Sequence, residues 1–478
     1  MITMNKNVIA ILVALIGLSL LNSCVPALIQ KKENKSLPTS YSNNLDTINS
    51  SKTKWSSFLN DPYLKAMIDT SLQNNQELNI MMQEIAIAKN DIRDKKGQYL
   101  PFVNFGVGAG FEKSARYTRY GSIDANSEIA EGRSFPEPLP DFLLLASASW
   151  EIDIWKRLRN AKQSAIYNYL ATTEGKNFMV TNLIVEIASA YYELMAFDNL
   201  LETLNKNIEI QKNALETVKM EKNAARVTDL AVRRFEAEIA KNISHQFMIL
   251  QQITETENKI NFLVGRFPQP IVRNSQNFND LVPDSVYSGI PSQLLESRTD
   301  VMQSELALAA AKLDVRVAKA NFYPKFMITS GLGYEAFNAQ YLINTPKSLL
   351  YNIAGSLAAP LINRNALKAT YYSANSKQIQ AVYNYERTIL KAYTEVVNQQ
   401  AKIKNLAGSY NAKAQQVEAL TKSINISVNL FKSARADYVE VLLTQRDALE
   451  AKMELIETKE NQMNAMIKMY QVLGGGWK

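Results

Sequence analysis

Cysteine and histidine occur once each in 478 residues. One Cys excludes a disulfide framework and a Cys-built zinc site. One His removes His-clustered metal sites and most Ser-His or Cys-His catalysis. Glycine (17) and proline (14) are scarce, each about half of ordinary usage. Few breakers mean long, uninterrupted elements. Residues 8–21 form an apolar run too short to cross a bilayer as a helix, and no run of 18 follows it. Any membrane crossing by the rest of the chain therefore needs a closed barrel. Lys and Arg (53) only slightly outnumber Asp and Glu (46). The excess is spread over helix faces without interleaved aromatics, so no nucleic-acid footprint is present. What remains is 46% hydrophobic and 21% charged, the mix of a folded chain.

The N-terminus is read as targeting, not fold. Lys6 supplies a positive start and residues 8–21 an apolar core, so residues 1–23 read as a signal peptide. Leu21-Asn22-Ser23-Cys24 resembles the lipobox of bacterial lipoproteins, in which the Cys becomes the acylated first residue. An ordinary signal peptide with a chance Cys is the plainer alternative. Two or more acyl chains would anchor the protein stably, and acylation would remove an exported free thiol. Val25 rather than Asp after Cys24 favours sorting to the outer membrane. A covalent lipid on Cys24 is the only non-protein group expected, with no cofactor and no metal. Residues 24–60 are polar and read as a tether.

Beyond the tether the chain is built twice. A first repeat, 61–264, opens at Asp61-Pro62, an N-cap followed by Pro at the first helical position. Period 2 takes over in a strand hairpin at about 101–155. Val103, Phe105, Val107, Ala109 and Phe111 share one face; Asn104, Gly106, Gly108 and Gly110 share the other. A second alternating run covers 144–154. A helical hairpin at about 157–264 follows, its seam marked by Leu204, Ile208, Gln211, Leu215 and Val218 against Phe235, Ile239, Asn242 and Gln246. Residues 265–291 are a proline-bearing linker. The second repeat, 292–478, has a helix, a strand hairpin at about 324–362 and a helical hairpin at about 366–473. A shift of 223 residues places Pro101, Gly108 and Gly110 on Pro324, Gly331 and Gly333. A shift of 209 places the first hairpin break on the second.

The fold class is mainly α with a transmembrane β part. A helix of some 65 residues is about 100 Å long. Strands of nine to eleven residues suit a tilted bilayer crossing. Four of them do not close a barrel, because known spanning barrels start at about eight strands. Oligomerisation is therefore required: two copies would give eight strands, three would give twelve and a lumen. Trp150 and Trp155 sit near a strand–helix junction, where aromatics anchor at a membrane interface. A soluble sheet packed on helices is the competing reading of the same pattern.

Several segments, in order along nearly the whole mature chain, resemble the TolC-like outer-membrane efflux proteins, specifically the lipid-anchored NodT-type branch. Leu294-Leu295-Glu296-Ser297-Arg298-Thr299-Asp300-Val301 with Glu305 is similar to LLxxRPDIxxxE, with Thr299 for Pro. Asp153-Ile154-Trp155 is similar to a strand-ending DLW, with Lys156 where Gly is common. Tyr438-Val439-Glu440-Val441-Leu442-Leu443-Thr444-Gln445 is similar to YLDVLDAQ, and Leu473-Gly474-Gly475-Gly476-Trp477 to a closing LGGGW. The resemblance implies a homotrimer with a twelve-stranded barrel and a helical periplasmic tunnel. It further implies a periplasmic adaptor and an inner-membrane transporter as partners, residence in the outer-membrane lipid, and no chemistry of its own.

The resemblance also implies site residues. In such a tunnel the closed end lies at the hairpin turns, here 225–229 and 434–438. The family carries Gly there; this chain has Ala at both matching positions, so either the turns avoid positive φ or the alignment slips by one. The acidic gate positions fall on Glu440 and on Leu443, an apolar departure, with Asp437 beside them as gate residue or N-cap. Thr228 and Asp229 have the same two readings in the first repeat. Arg226 and Arg435 are candidates for adaptor contact, with solvated charge as the plainer reading. Glu151 and Asp153 are the only acidic pair worth testing for hydrolysis, and alternation puts both on one strand face. The expected function is the exit duct of a small-molecule efflux pump. The alternatives are a protein-secretion duct and a soluble periplasmic coiled-coil scaffold.

Overall fold

The computed structural model describes residues 25–29, 31–41, 48–281, 287–360, 364–433 and 435–477. Cys24 and the signal segment lie outside them. The chain forms two compact units. One comprises the described residues of 1–32 with 87–169 and 306–382; the other comprises 33–86, 170–305 and 383–478.

The elements are α1 (Pro62–Asn74), α2 (Gln76–Tyr99), β1 (Phe102–Glu112), β2 (Leu139–Ile152), α3 (Arg157–Asn223) and α4 (Asp229–Val264), then α5 (Thr299–Ala320), β3 (Lys325–Ala336), β4 (Leu349–Ala358), α6 (Asn365–Lys432) and α7 (Tyr438–Val472). The order helix, strand, strand, long helix, helix thus occurs twice. The 67 residues of α3 and 68 of α6 make each helix about 100 Å long. No helix among the described residues is long and apolar enough to cross a membrane.

The first unit is organised by one antiparallel sheet of order β1-β2-β3-β4. Strand β2 starts at Leu139, five residues before the alternating pattern does, although it includes Pro140 and Asp141. Cross-strand partners explain this. Leu139 faces Glu112, Pro140 faces Phe111 and Asp141 faces Gly110, so β1 dictates the register where local propensity does not. A short helix (Arg119–Asn126) and a two-strand hairpin (Glu128–Ala130, Arg133–Ser134) fill the connection between β1 and β2.

The second unit holds the main core. Leu64 and Ile68 of α1 pack with Ile184, Ile187, Tyr191 and Leu194 of α3, with Ile260 and Val264 of α4, and with Met463 and Ile467 of α7. Helix α1 starts where Asp61 accepts hydrogen bonds from Tyr63 N (2.8 Å) and Leu64 N (3.1 Å), with Pro62 at its first position. The second carboxylate oxygen of Asp61 takes the Tyr191 hydroxyl at 2.9 Å, which ties this cap to the core. Along the α3–α4 hairpin the seam is buried, and its polar members find each other. Asn242 donates to Gln211 at 2.8 Å in full burial, and Gln246 donates to Asn205 at 2.9 Å.

The segment read as a polar tether, 24–60, is only partly one. Its described residues up to Tyr41 run along α6 without regular secondary structure, whereas Ser50–Lys52 and Trp55–Phe58 are helical. Trp55, Phe58 and Leu59 pack on the core of the second unit because they are apolar members of the segment. In the first unit Asn375 and Gln378 donate to the carbonyls of Ile29 and Lys31, both at 3.2 Å. In the second, Asn34 N donates to Glu386 at 3.0 Å, Lys35 pairs with Glu305, and Tyr41 stacks on Tyr393.

Candidate functional site

Side chains of a strand alternate between faces, and directly paired residues share one. In this sheet one face carries Val103, Phe105, Val107, Ala109 and Phe111 of β1, and Phe142, Leu144, Ala146, Ala148 and Trp150 of β2. From β3 it carries Ile328, Ser330, Leu332 and Tyr334, and from β4 Leu349, Tyr351, Ile353 and Leu357. On the outer strands these apolar groups stand out from the protomer, Phe105 being 67% exposed, Tyr351 77% and Ile353 80%, while most of those on β2 and β3 are half-buried. Such a continuous apolar surface is unstable in water and needs an apolar neighbour. The other face carries Asn104, Gly106, Gly108, Gly110, Ser147, Ser149, Thr329, Gly331, Gly333, Asn352 and Ser356, with three carboxylates, Glu112, Asp141 and Glu335, at the end away from the helices. The sheet therefore separates two solvents. Among the described residues its outer strands β1 and β4 each leave one edge without a partner.

At the strand–helix junction both tryptophans are held by their indole N–H. Trp150 donates to the Tyr99 carbonyl at 3.1 Å. Trp155 donates to the Pro324 carbonyl at 2.9 Å and stacks on Tyr323. Glu151 makes a two-pronged pair with Arg157, at 3.1 and 2.7 Å. Asp153 lies past the end of β2, contrary to the shared strand face expected from alternation, because it turns to cap α3. Its oxygens accept from Leu158 N (3.1 Å) and Arg159 N (2.9 Å), satisfying donors that a helix start leaves orphaned. Both carboxylates are thus committed to structure. The turn needs Lys156 at φ +59°, the left-handed region that a glycine would enter freely.

Both hairpin tips end their first helix with the same device. After α3, Arg226 N donates to the Glu221 carbonyl and Ala225 N to the Lys222 carbonyl, both at 2.9 Å, with Ala225 at φ +55°. This turn therefore does take positive φ, with Ala in the glycine place. After α6, Arg435 N donates to the Leu430 carbonyl at 2.9 Å; Ala434 lies outside the described residues. Thr228 and Asp437 are the N-caps of α4 and α7 by backbone conformation, and neither side chain caps. Asp229 is drawn into the first tip by Lys222 and Arg233, which hold its carboxyl below the usual range. Arg226 and Arg435 are exposed.

On α7, Val441, Leu442, Gln445, Ala448 and Leu449 are buried. Asp437, Glu440 and Leu443 recur every three residues on the opposite, exposed side, Leu443 being 40% exposed. Asp447, four residues and one turn further along that side and paired with Arg446 at 3.0 Å, belongs with them; sequence reading passed over it, although a step of four keeps a helix face as well as a step of three. The first hairpin does not repeat this face. The positions matching Glu440 and Leu443 are Ala231, which is buried, and Arg234, which is exposed. Among the described residues no group of three or more His, Cys, Asp or Glu is arranged to hold a metal ion.

Long helical hairpins joined in one chain to an open sheet with two unlike faces define the protomer of a membrane duct. Residues 67–266 and 290–475 match the outer membrane efflux protein family, and the chain belongs to it. The chain is 25% identical over 425 residues to the pyoverdine export outer membrane protein OpmQ of Pseudomonas aeruginosa, covering 89% of this chain and 88% of that protein. It is 24% identical over 424 residues to the cation efflux system protein CusC of Escherichia coli, with the same coverage. Its fold matches the open-state MtrE outer membrane channel of Neisseria gonorrhoeae with a TM-score of 0.81 at 19% identity, over 95% of this chain and 98% of that one. The chain is thus an outer-membrane efflux protein, of a channel family and not an enzyme family. Ducts of this family function as homotrimers with a periplasmic adaptor and an inner-membrane transporter.

Proposed function

We propose that three copies of this chain form the exit duct of a tripartite pump that passes small molecules out through the outer membrane. The observation that carries this reading is the four-stranded sheet with two unpaired edges, apolar on one face and glycine, serine and asparagine on the other. Three such sheets joined edge to edge make twelve strands with lipid outside and water inside. The duct carries no catalysis of its own. The transporter and adaptor supply energy and coupling.

The narrow end of the duct is the face of Asp437, Glu440 and Leu443. Three-fold symmetry turns Glu440 into a ring of carboxylates and Leu443 into an apolar ring one turn further in. Arg226 and Arg435, at the tips, face the adaptor. Cys24 carries the lipid that anchors the N-terminus. Relatives named for pyoverdine export, cation efflux and toluene efflux support small-molecule cargo as the class.

The test is electron microscopy of the detergent-purified protein. A hollow three-fold particle well over 100 Å long is expected. A compact monomer that stays soluble without detergent overturns the duct and restores the scaffold reading. Mass spectrometry of the N-terminal peptide is expected to find Cys24 acylated; an unmodified mature N-terminus without Cys24 removes the anchor.

A further inference from the structure

The water-side face of the sheet is not uniformly polar. Followed along one hydrogen-bonded row it reads Gly106, Leu145, Gly333, Leu350, each residue directly opposite the next. The row toward the carboxylate end reads Gly108, Leu143, Glu335. The row on the helix side returns to Asn104, Ser147, Gly331, Asn352. Three leucines are therefore gathered into two adjacent rows, which cross β1 and β2 near their middle and β4 at its first residues. Small residues lie between them, carboxylates beyond them and amides behind them. The remaining large apolar groups on this face, Leu139, Phe102 and Met327, sit toward the strand ends.

The glycines are the floor on which these leucines lie. A Cβ added at Gly108 would stand 3.5 Å from the Leu143 Cβ, and one at Gly331 would stand 3.3 Å from the Leu145 Cδ1. At Gly333 a Cβ would run into the Leu144 carbonyl oxygen and the Leu145 backbone. Leu143, Leu145 and Leu350 are all half-buried in the isolated protomer, as are Phe142, Leu144 and Leu349 on the opposite face. Leu145 leans over β3, with its Cδ1 above Gly331.

The geometry points to an apolar collar in the barrel lumen, a transient landing site for amphiphilic organic molecules, formed by Leu145 and Leu350 with Leu143 beside them. This rests on the trimeric duct proposed above. Twelve strands about 4.8 Å apart, tilted by about 40°, give a backbone radius of roughly 12 Å. At that tilt Leu145 and Leu350 of one protomer, two strands apart, differ in height by roughly 6 Å. Three copies therefore place six leucines and six intervening glycines in a slanted band around the lumen. A leucine side chain spans only part of such a radius, so the collar is a wall that apolar groups touch, not a plug. A purely polar wall would offer an amphiphile nothing over bulk water; this band lets its alkyl part leave water while its head remains solvated.

Substituted cysteines test the collar. Asn352→Cys lies on the lumen face just behind it; Ile353→Cys lies on the lipid face. The parent chain, whose one Cys is Cys24, is the blank. Reconstituted trimers are treated with ethyl and hexyl methanethiosulfonate, and the ratio of hexyl to ethyl rates at Asn352→Cys is compared with and without L145N/L350N. A fully buried methylene is worth about a fourfold preference, so one-sided contact over four of them is worth on the order of tenfold. The ratio is expected to fall by about that factor in the double variant. An equal ratio in both backgrounds overturns the collar. Should L145N/L350N fail to assemble, Leu350→Thr, β-branched and suited to a strand, carries the same comparison with a smaller drop. The duct reading fails separately: a cationic methanethiosulfonate should modify Asn352→Cys and spare Ile353→Cys. Loss of that contrast refutes the barrel before the collar is at issue.

Discussion

Two side chains hold backbone that would suit glycine better. Ala225 and Lys156 are the only non-glycine residues at positive φ among the described residues. An L-residue there costs about 1–2 kcal/mol. Ala225→Gly should therefore steady the first hairpin tip by about 1 kcal/mol, read as slower hydrogen exchange at amides 221–229; unchanged exchange would refute it. A second residue stores charge instead of strain. Burial, joined by the Glu193 and Glu457 carboxylates, pushes Glu460 up to about 7, while Lys402 and the Asn464 amide pull the other way. The unfolded chain releases this proton near the ordinary value of 4.5, the folded chain near 7. Folding thus takes up a proton between those values, and stability falls as pH rises through that window. Glu460→Gln should raise the melting temperature at pH 8, leave it unchanged at pH 4 and flatten the profile between. A variant as pH-sensitive as the parent would count against this. Both glycine-like sites were readable as departures from a family pattern. The Glu460 environment was not, because it is assembled from α3, α6 and α7.

Among the elements, the α3–α4 hairpin shows how a seam keeps register. Its apolar positions gather without specifying which turn meets which; the buried Gln211–Asn242 pair specifies it. Asn242→Ala leaves a buried Gln211 amide unpartnered and should cost about 1–3 kcal/mol. The Q211L/N242L double variant should be near neutral in stability and looser in register, as seen by spin-label distances across the hairpin. A double variant no more stable than Asn242→Ala would sink the argument. Heptad spacing made this seam legible, including its polar interruptions. The start of β2 was not legible, since Pro140 and Asp141 are extended only because β1 lies alongside. The role of Asp153 was missed for a related reason: alternation assigns a face but not the residue at which a strand gives way to a helix, and the orphaned amides of α3 claim that carboxylate.

For the whole molecule, duplication was the decisive signal, since a two-strand unit repeated makes a four-stranded wall without closing it. The two repeats have nonetheless diverged where it matters. Glu440 and Leu443 of the second hairpin are matched in the first by a buried alanine, Ala231, and an exposed arginine, Arg234. In planar bilayers Glu440→Gln should lower the preference for potassium over chloride by about twofold or more, and Leu443→Asp should raise conductance. Currents identical to the parent in both variants would move the constriction elsewhere.

The unpaired edges of β1 and β4 have a genetic consequence. A strand edge on one chain is completed only by its neighbour, so a chain that folds but presents a damaged edge is not merely inactive; it occupies a place in someone else's ring. In a cell making equal amounts of sound and damaged chains, random assembly leaves roughly one ring in eight wholly sound. Edge mutations should therefore be dominant, and truncations that remove the sheet altogether should be recessive.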